Sequence, residues 1–395
     1  MATYFEKFLH HQRIIIVLWC LIIPIVFIKH NFSSSFPNNY KIFQYTYLHA
    51  QQGQTLYGVY PHQYDDKNHY GPFFSLFIAP FAILPDWAGH LLWVTMLVLV
   101  LLWAIRWLPL EEWQKNVIML ICLNELLTAA FNVQFNIAIA AFITLTFVLI
   151  HREKEFWAPL PILIGTFVKL YGVVGFAFFF LVKDKPKFIL GCIVWSVVLF
   201  VTPMALSSPE YVVSMYGEWY KYLVIKNADN VSLTSYQDIS IMGFFRRLLE
   251  DPTLPNLPFI AAGVALFGIP YLRFSQYKNQ AYRLLLLAST LMFPVIFSSS
   301  SESSTYIIVF VGIAVWFAIQ PRPYSWQVWG LLAAAILFGS FNTVDFYPQA
   351  FRTFLRLHSV KALPCAIIWL VVIYQMTRSD FKQFQVGKSS SLPLT

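Results

Sequence analysis

The chain has 395 residues, 58% of them hydrophobic, 18% aromatic and only 12% charged, with a net charge of +8. Soluble domains carry roughly 25% charged residues, so half that level excludes an ordinary globular enzyme. The basic residues are scattered through short hydrophilic gaps, which points to membrane topology and away from nucleic acid.

The first apolar run covers residues 12–28. Lys29-His30-Asn31-Phe32 follows it without a small-residue cleavage site, so it reads as a retained span and not a signal peptide. A long hydrophilic loop then runs from Lys29 to Tyr70. Within it Tyr40, Phe43, Tyr47 and Leu48 recur as one helix face with Lys41, Gln44 and Gln51 between them, which predicts an amphipathic helix on the membrane surface. The loop turns at Gly53 and Gly58. It ends in its densest polar cluster, Tyr64-Asp65-Asp66-Lys67-Asn68-His69-Tyr70-Gly71-Pro72.

A transmembrane helix needs roughly 20 predominantly apolar residues. Eleven further runs approach that length: 71–85, 87–107, 115–131, 133–150, 156–182, 187–206, 256–274, 281–298, 303–320, 326–342 and 359–376. The expected fold is therefore an all-α polytopic membrane protein with about 12 transmembrane helices. It forms a single domain over residues 1–386, followed by a disordered cytoplasmic tail, 387–395. Run 71–85 is short and bounded by prolines, and run 156–182 is long, so these two are the candidates for broken spans. If the N-terminus is cytoplasmic and the runs alternate, the inside segments carry 12 basic and four acidic residues, and the outside segments 14 of each. That split obeys the positive-inside rule. It leaves His151-Arg152-Glu153-Lys154 outside and Lys183, Lys185 and Lys187 inside.

Among Asp, Glu, Lys and Arg, two residues, Glu125 and Lys169, lie in the interior of runs, away from their ends. Placing a charge at the bilayer centre costs about 2.5–3.5 kcal/mol on insertion scales, so each needs a partner or a wet cavity. Either they pair with each other, or Lys169 serves a bound anion. Gln134 and Asn136, two apart, do not share a helix face and fit a broken helix end whose backbone needs satisfying. The four cysteines have neither metal nor disulfide spacing. The nine histidines include no His-x-x-x-His pair, and Asp65-Asp66 alone is too little for a dedicated metal site. No glycine-rich phosphate loop occurs. No metal or cofactor is expected.

Several short motifs in order resemble glycosyltransferase family 87, a member of the GT-C superfamily that includes polyprenol-phosphate-mannose-dependent mannosyltransferases. They are Asn39-Tyr40, Gly53-Gln54-Thr55-Leu56-Tyr57, Tyr70-Gly71-Pro72, Pro80-Phe81-Ala82-Ile83-Leu84-Pro85, Phe131-Asn132-Val133-Gln134-Phe135-Asn136 and Lys169-Leu170-Tyr171-Gly172. The resemblance covers roughly residues 35–190. It implies a GT-C-like bundle in a bacterial plasma membrane, moving a hexose such as mannose from a polyprenyl-phosphate donor to a lipid or glycan acceptor on the outer face. Asn39 stands where the family carries its acid, and an amide cannot take a proton from an acceptor hydroxyl.

Such a transfer needs a carboxylate base and groups that stabilise the departing phosphate. Asp66, then Asp65, are the candidate bases, with Glu302, in the serine-rich turn 298–305, in reserve. Lys67, His69, Lys169, Arg246 and Arg247 are candidate phosphate partners. Asn39, Tyr40, Tyr70, Gln134 and Asn136 complete the expected binding site. The competing readings are a lipid or glycan transporter or flippase, a catalytically silent glycan-lipid-binding relative, and a polymerase with the same outer-face chemistry.

Overall fold

A computed structural model describes residues 11–32, 36–235, 237–343 and 347–381, and no strand occurs among them. The expected tail, 387–395, lies outside the described residues. Three helices are long and apolar enough to cross a bilayer, Gln12–Asn31, Asp86–Arg106 and Lys185–Ala205. A fourth candidate is the pair Gln349–Leu357 and Ala362–Arg378, bent by 54°. Shorter apolar helices make up most of the rest. The chain divides into two compact units. One, here the first-loop unit, comprises Ile16–Trp107 and Leu126–Lys226; the other, the C-terminal unit, comprises Met1–Ile15, Leu108–Glu125 and Asn227–Thr395.

In the first-loop unit the sequence signals for helix ends are in place. Asp86 opens Asp86–Arg106 and Arg106 closes it, complementing the helix dipole. The Asp184 carboxylate accepts the Lys187 amide at 3.1 Å and caps the helix that follows. The predicted loop helix forms as Asn38–Gln52. It does not lie on a surface by one apolar stripe: Tyr40, Ile42, Phe43, Thr46, His49 and Ala50 are all buried. Its cover is the ten-residue helix Phe73–Ala82. Phe43 meets Tyr70 and Phe74 at one end, while the Tyr40 hydroxyl donates to Phe81 O and Gln44 to Asp86 at the other.

Runs 71–85 and 156–182 do not fold as single continuous helices of spanning length. Phe73–Ala82 is about 15 Å long, half the hydrocarbon thickness of roughly 30 Å, and both its ends lie against the loop helix. Run 156–182 breaks at Lys169, whose backbone is extended between the α-helix Pro159–Val168 and the 3₁₀ helix Leu170–Leu181. The two halves double back on each other. A Cβ on Gly172 would sit 2.6 Å from Ile162 O and 2.5 Å from Thr166 N, so the close approach at the tip requires glycine. At the open end of this hairpin Lys183 pairs with Glu153 at 3.1 Å.

That ion pair corrects the alternation expected from hydropathy. Residues 151–154 and 183–187 share one end of the unit, together with Trp107, over which Arg152 lies at 4.3 Å. Asp86 is at the opposite end, with the first loop. The basic end holds Arg106, Arg152, Lys154, Lys183, Lys185 and Lys187 against three acids; the first-loop end holds five of each.

The C-terminal unit is built around Gln280–Ile296 and Tyr306–Ala318, both almost wholly buried, with Ala362–Arg378 beside them. Trp326–Ala334 continues into a π-helical turn, Ala335–Ser340. Against this turn Asn124 donates to Ser340 O at 2.9 Å. Glu125 is fully buried and pairs with Lys361 at 2.8 Å.

Candidate active site in the first-loop unit

The polar residues of run ends gather at the hairpin tip. Helix Glu112–Phe131 stops at a turn in which Val133 takes a positive φ of 58°, and helix Asn136–His151 begins immediately after. In that turn the Asn136 side-chain amide donates to Gln134 Oε1 at 2.7 Å, and Lys169 Nζ donates to Asn136 Oδ1 at 2.8 Å. The Lys169 ammonium also lies over the rings of Tyr171 at 5.3 Å and Tyr70 at 5.9 Å. Sequence reasoning put Gln134, Asn136 and Lys169 in one site, and the chain brings them together across 33 residues. The alternative pairing of Lys169 with Glu125 is overturned, because Glu125 takes Lys361.

Tyr70 connects this tip to the acidic loop. Its hydroxyl accepts the Phe135 amide, its carbonyl accepts the Tyr57 hydroxyl at 3.0 Å, and its ring stacks on Phe43. The next residue, Gly71, donates its amide to Val168 O at 2.9 Å; a Cβ there would fall 2.1 Å from Phe167 O. The loop before it is braced by the N-terminal part of helix Pro209–Asn230. Thr55 donates to Glu218 at 2.5 Å, Tyr211 to Gln54 O at 2.6 Å, and Trp219 to His69 O at 3.1 Å. Leu56 and Tyr57 of the Gly-x-x-Leu-Tyr motif are buried against Met215, Trp219 and Tyr222.

Within this frame Asp66 adopts a positive φ of 69°. Its side chain is about half exposed, at 55%. Oδ1 accepts the Lys67 amide at 2.8 Å, and Oδ2 lies 3.4 Å from His69 Nε2. The far nitrogen of that imidazole, Nδ1, is 2.9 Å from the Tyr222 hydroxyl, and the two rings stack 7° from parallel. The hydrogen bond from His69 holds the Asp66 carboxyl down at about 2, against the opposing effect of burial; Lys226 and the Lys67 amide lower it further. Lys67 extends its ammonium over the Tyr222 ring at 5.5 Å. Asp65 differs. Its backbone is clasped by Asn38, which accepts its N–H at 2.8 Å and donates to its carbonyl at 2.6 Å, while its side chain is exposed. Nothing in the sequence marked Tyr222, which lies more than 150 residues downstream and has ordinary tyrosine neighbours.

Other expected site residues have structural employment. The Asn39 amide donates to Asn132 O at 2.8 Å, tying the loop helix to the turn before Gln134. Tyr40 is wholly buried. In the C-terminal unit Arg246 and Arg247 neither anchor a surface helix nor face an open site. Arg246 is 2% exposed, paired with Asp238 and bonded to Leu254 O and Asn256; Arg247 donates to the carbonyls of Ser235, Gln237, Asp238 and Gly243. Together they organise loop 235–256. Glu302 caps the turn Ser303–Thr305 through a reciprocal capping box. Among the described residues no group of three His, Cys, Asp or Glu side chains could hold a metal ion.

The site thus combines an ionised, half-exposed carboxylate with a lysine held at a helix break. Comparison with known families matches residues 68–299 to glycosyltransferase family 87. The chain belongs to glycosyltransferase family 87. It is a member of a membrane glycosyltransferase family, and its apolar helices accord with that. The matched stretch runs beyond the motifs read from the sequence, through helix Pro209–Asn230 to the serine-rich turn. A search of curated proteins finds no match to the chain.

Proposed function

We propose that this family 87 protein is a GT-C-type transferase that moves a hexose from a polyprenyl-phosphate donor to a lipid or glycan acceptor, with Asp66 as general base. The observation that carries the reading is the Asp66 carboxylate, which is ionised, pinned by Lys67 N and His69, and retains exposed lone pairs four residues from Tyr70. In the reaction the acceptor hydroxyl attacks the anomeric carbon and its proton passes to Asp66. The bond from that carbon to the phosphate oxygen breaks, and the electron pair leaves with the phosphate. A carboxylate held at about 2 is a weak base for a resting alcohol. It suffices once the new C–O bond has made that hydroxyl strongly acidic, which is when general-base help counts. Lys169, presented by Asn136 at the hairpin tip, is the proposed phosphate partner. His69 has both ring nitrogens engaged, so it is not the first proton acceptor.

The basic end of the first-loop unit is proposed to face the cytoplasm, putting the Asp66 loop on the outer face. In this topology runs 71–85 and 156–182 each turn back, and the ten other runs cross. Lys154→Cys and Lys185→Cys should then both resist an impermeant thiol reagent in intact cells, while Asp65→Cys reacts. Labelling at residue 154 alone would restore the simple alternation. The catalytic test is transfer from synthetic polyprenyl-phosphate sugars by purified protein. Asp66→Asn should lower turnover by about 10²–10⁴, and Asp65→Asn should change it little. Normal turnover by Asp66→Asn would remove the base assignment.

A further inference from the structure

Helix Pro209–Asn230 delivers one hydroxyl into the acidic loop, and the chemistry of its partners leaves that hydroxyl a definite task. Tyr222 is 9% exposed, with its ring stacked between those of Tyr57 and His69. Its oxygen is 2.9 Å from His69 Nδ1, and His69 Nε2 faces Asp66 Oδ2 at 3.4 Å. A carboxylate can only accept, so Nε2 must carry a proton. In a neutral imidazole Nδ1 is then the acceptor, and the tyrosine hydroxyl supplies the proton it accepts. The other neutral tautomer would set the Nε2 lone pair against the carboxylate.

We infer that Tyr222 is a positioning residue for the transfer: by donating to His69 Nδ1 it fixes the Nε2–H tautomer, which holds the Asp66 carboxylate in one orientation. This inference rests on Asp66 being the base. Tyr222 itself touches no reacting atom.

Facing Asp66 are His69 and the Lys67 amide from its own loop, with Lys226 of the helix nearby. The Lys67 ammonium lies over the tyrosine ring. Without the Tyr222 hydroxyl, His69 can place its proton on Nδ1 and leave Asp66 with the Lys67 amide but without the imidazole donor.

Tyr222→Phe keeps both ring stacks and removes only the hydroxyl. Its kcat should fall about tenfold, the scale of one ordinary hydrogen bond, with donor KM unchanged. In histidine labelled with nitrogen-15, the His69 resonances should pass from a single Nε2–H tautomer to a mixture. No deficit in Tyr222→Phe, or a deficit with His69 still a single Nε2–H tautomer, would each overturn the inference. If Asp66→Asn itself turns over normally, the base assignment fails, whatever Tyr222→Phe does. If Asp66→Asn is inactive while Tyr222→Phe matches wild type, the Tyr222 inference alone fails.

Discussion

The two units handle charge in opposite ways. In the C-terminal unit, two ion pairs are sealed from solvent: Lys361 and Glu125 are 1% and 0% exposed, and the Arg246–Asp238 pair 2% and 1%. Lys361 also contacts Ser303, and the two arginines make eight hydrogen bonds to carbonyl and side-chain oxygens. In the first-loop unit Asp66 and His69 are 55% and 31% exposed, and the Asp66 carboxylate keeps lone pairs open beyond those facing the Lys67 amide and His69. A buried pair with every lone pair engaged can organise a fold, but it has nothing left to offer a ligand. The half-exposed set gives up packing energy and keeps a reactive edge. Counting charges in a sequence does not separate the two; counting what each charge has left does.

The comparison can be broken most severely at Lys361. Lys361→Met leaves the Glu125 carboxylate buried without its cation, and removing one member of a buried pair costs about 3–5 kcal/mol. Thermal unfolding in detergent should show a large drop, and adding Glu125→Leu should recover most of it. A stable single variant would mean that the C-terminal pair is not structural. Lys169→Met should do the reverse. Loss of a charged hydrogen bond of about 1.5–3 kcal/mol should raise donor KM by roughly one to two orders of magnitude while melting changes little. Adding Glu125→Leu should not restore binding. Recovery in that double variant would reinstate the pairing discarded above.

The smallest change sharpens the reading of Asn39. Restoring an acid there, Asn39→Asp, puts a carboxylate oxygen against the Asn132 carbonyl in place of a donor 2.8 Å away. The variant should lose about 0.5–1.5 kcal/mol of stability, the net worth of one hydrogen bond, and gain no activity. Turnover above wild type would show that the base belongs at residue 39.

Much of this was legible because membrane sequences concentrate information at interruptions. Lys169, Gln134 and Asn136 interrupt apolar runs, and a backbone freed inside an apolar medium must find polar partners, so their convergence follows from solvation alone. Asp66 stood out as an acid beside a membrane entry. Partner choice was not legible. Lys361 sits at the edge of a run and reads as a loop residue, yet it is the cation for Glu125, 236 residues away. Asp238, in a polar loop, gives no sign that it absorbs Arg246. Tyr222 is one tyrosine among 21. Hydropathy measures how far a segment is apolar but not whether it comes back, so the hairpin was counted as a crossing.

The hairpin has a consequence that belongs to parity. Which side a loop faces depends only on whether the number of crossings before it is odd or even. A segment that enters and leaves by one face contributes zero, whatever its length or hydropathy. The proposed topology contains two such segments, so a tally that counts both is wrong between them and right again after the second. In that topology residues 86–155 are the stretch whose sides are exchanged, and everything from Lys183 onward keeps its place. The hairpin around Lys169 is thus a part that can be lengthened, shortened or reshaped at its tip without inverting any loop downstream, a freedom that a through-helix such as Asp86–Arg106 does not have.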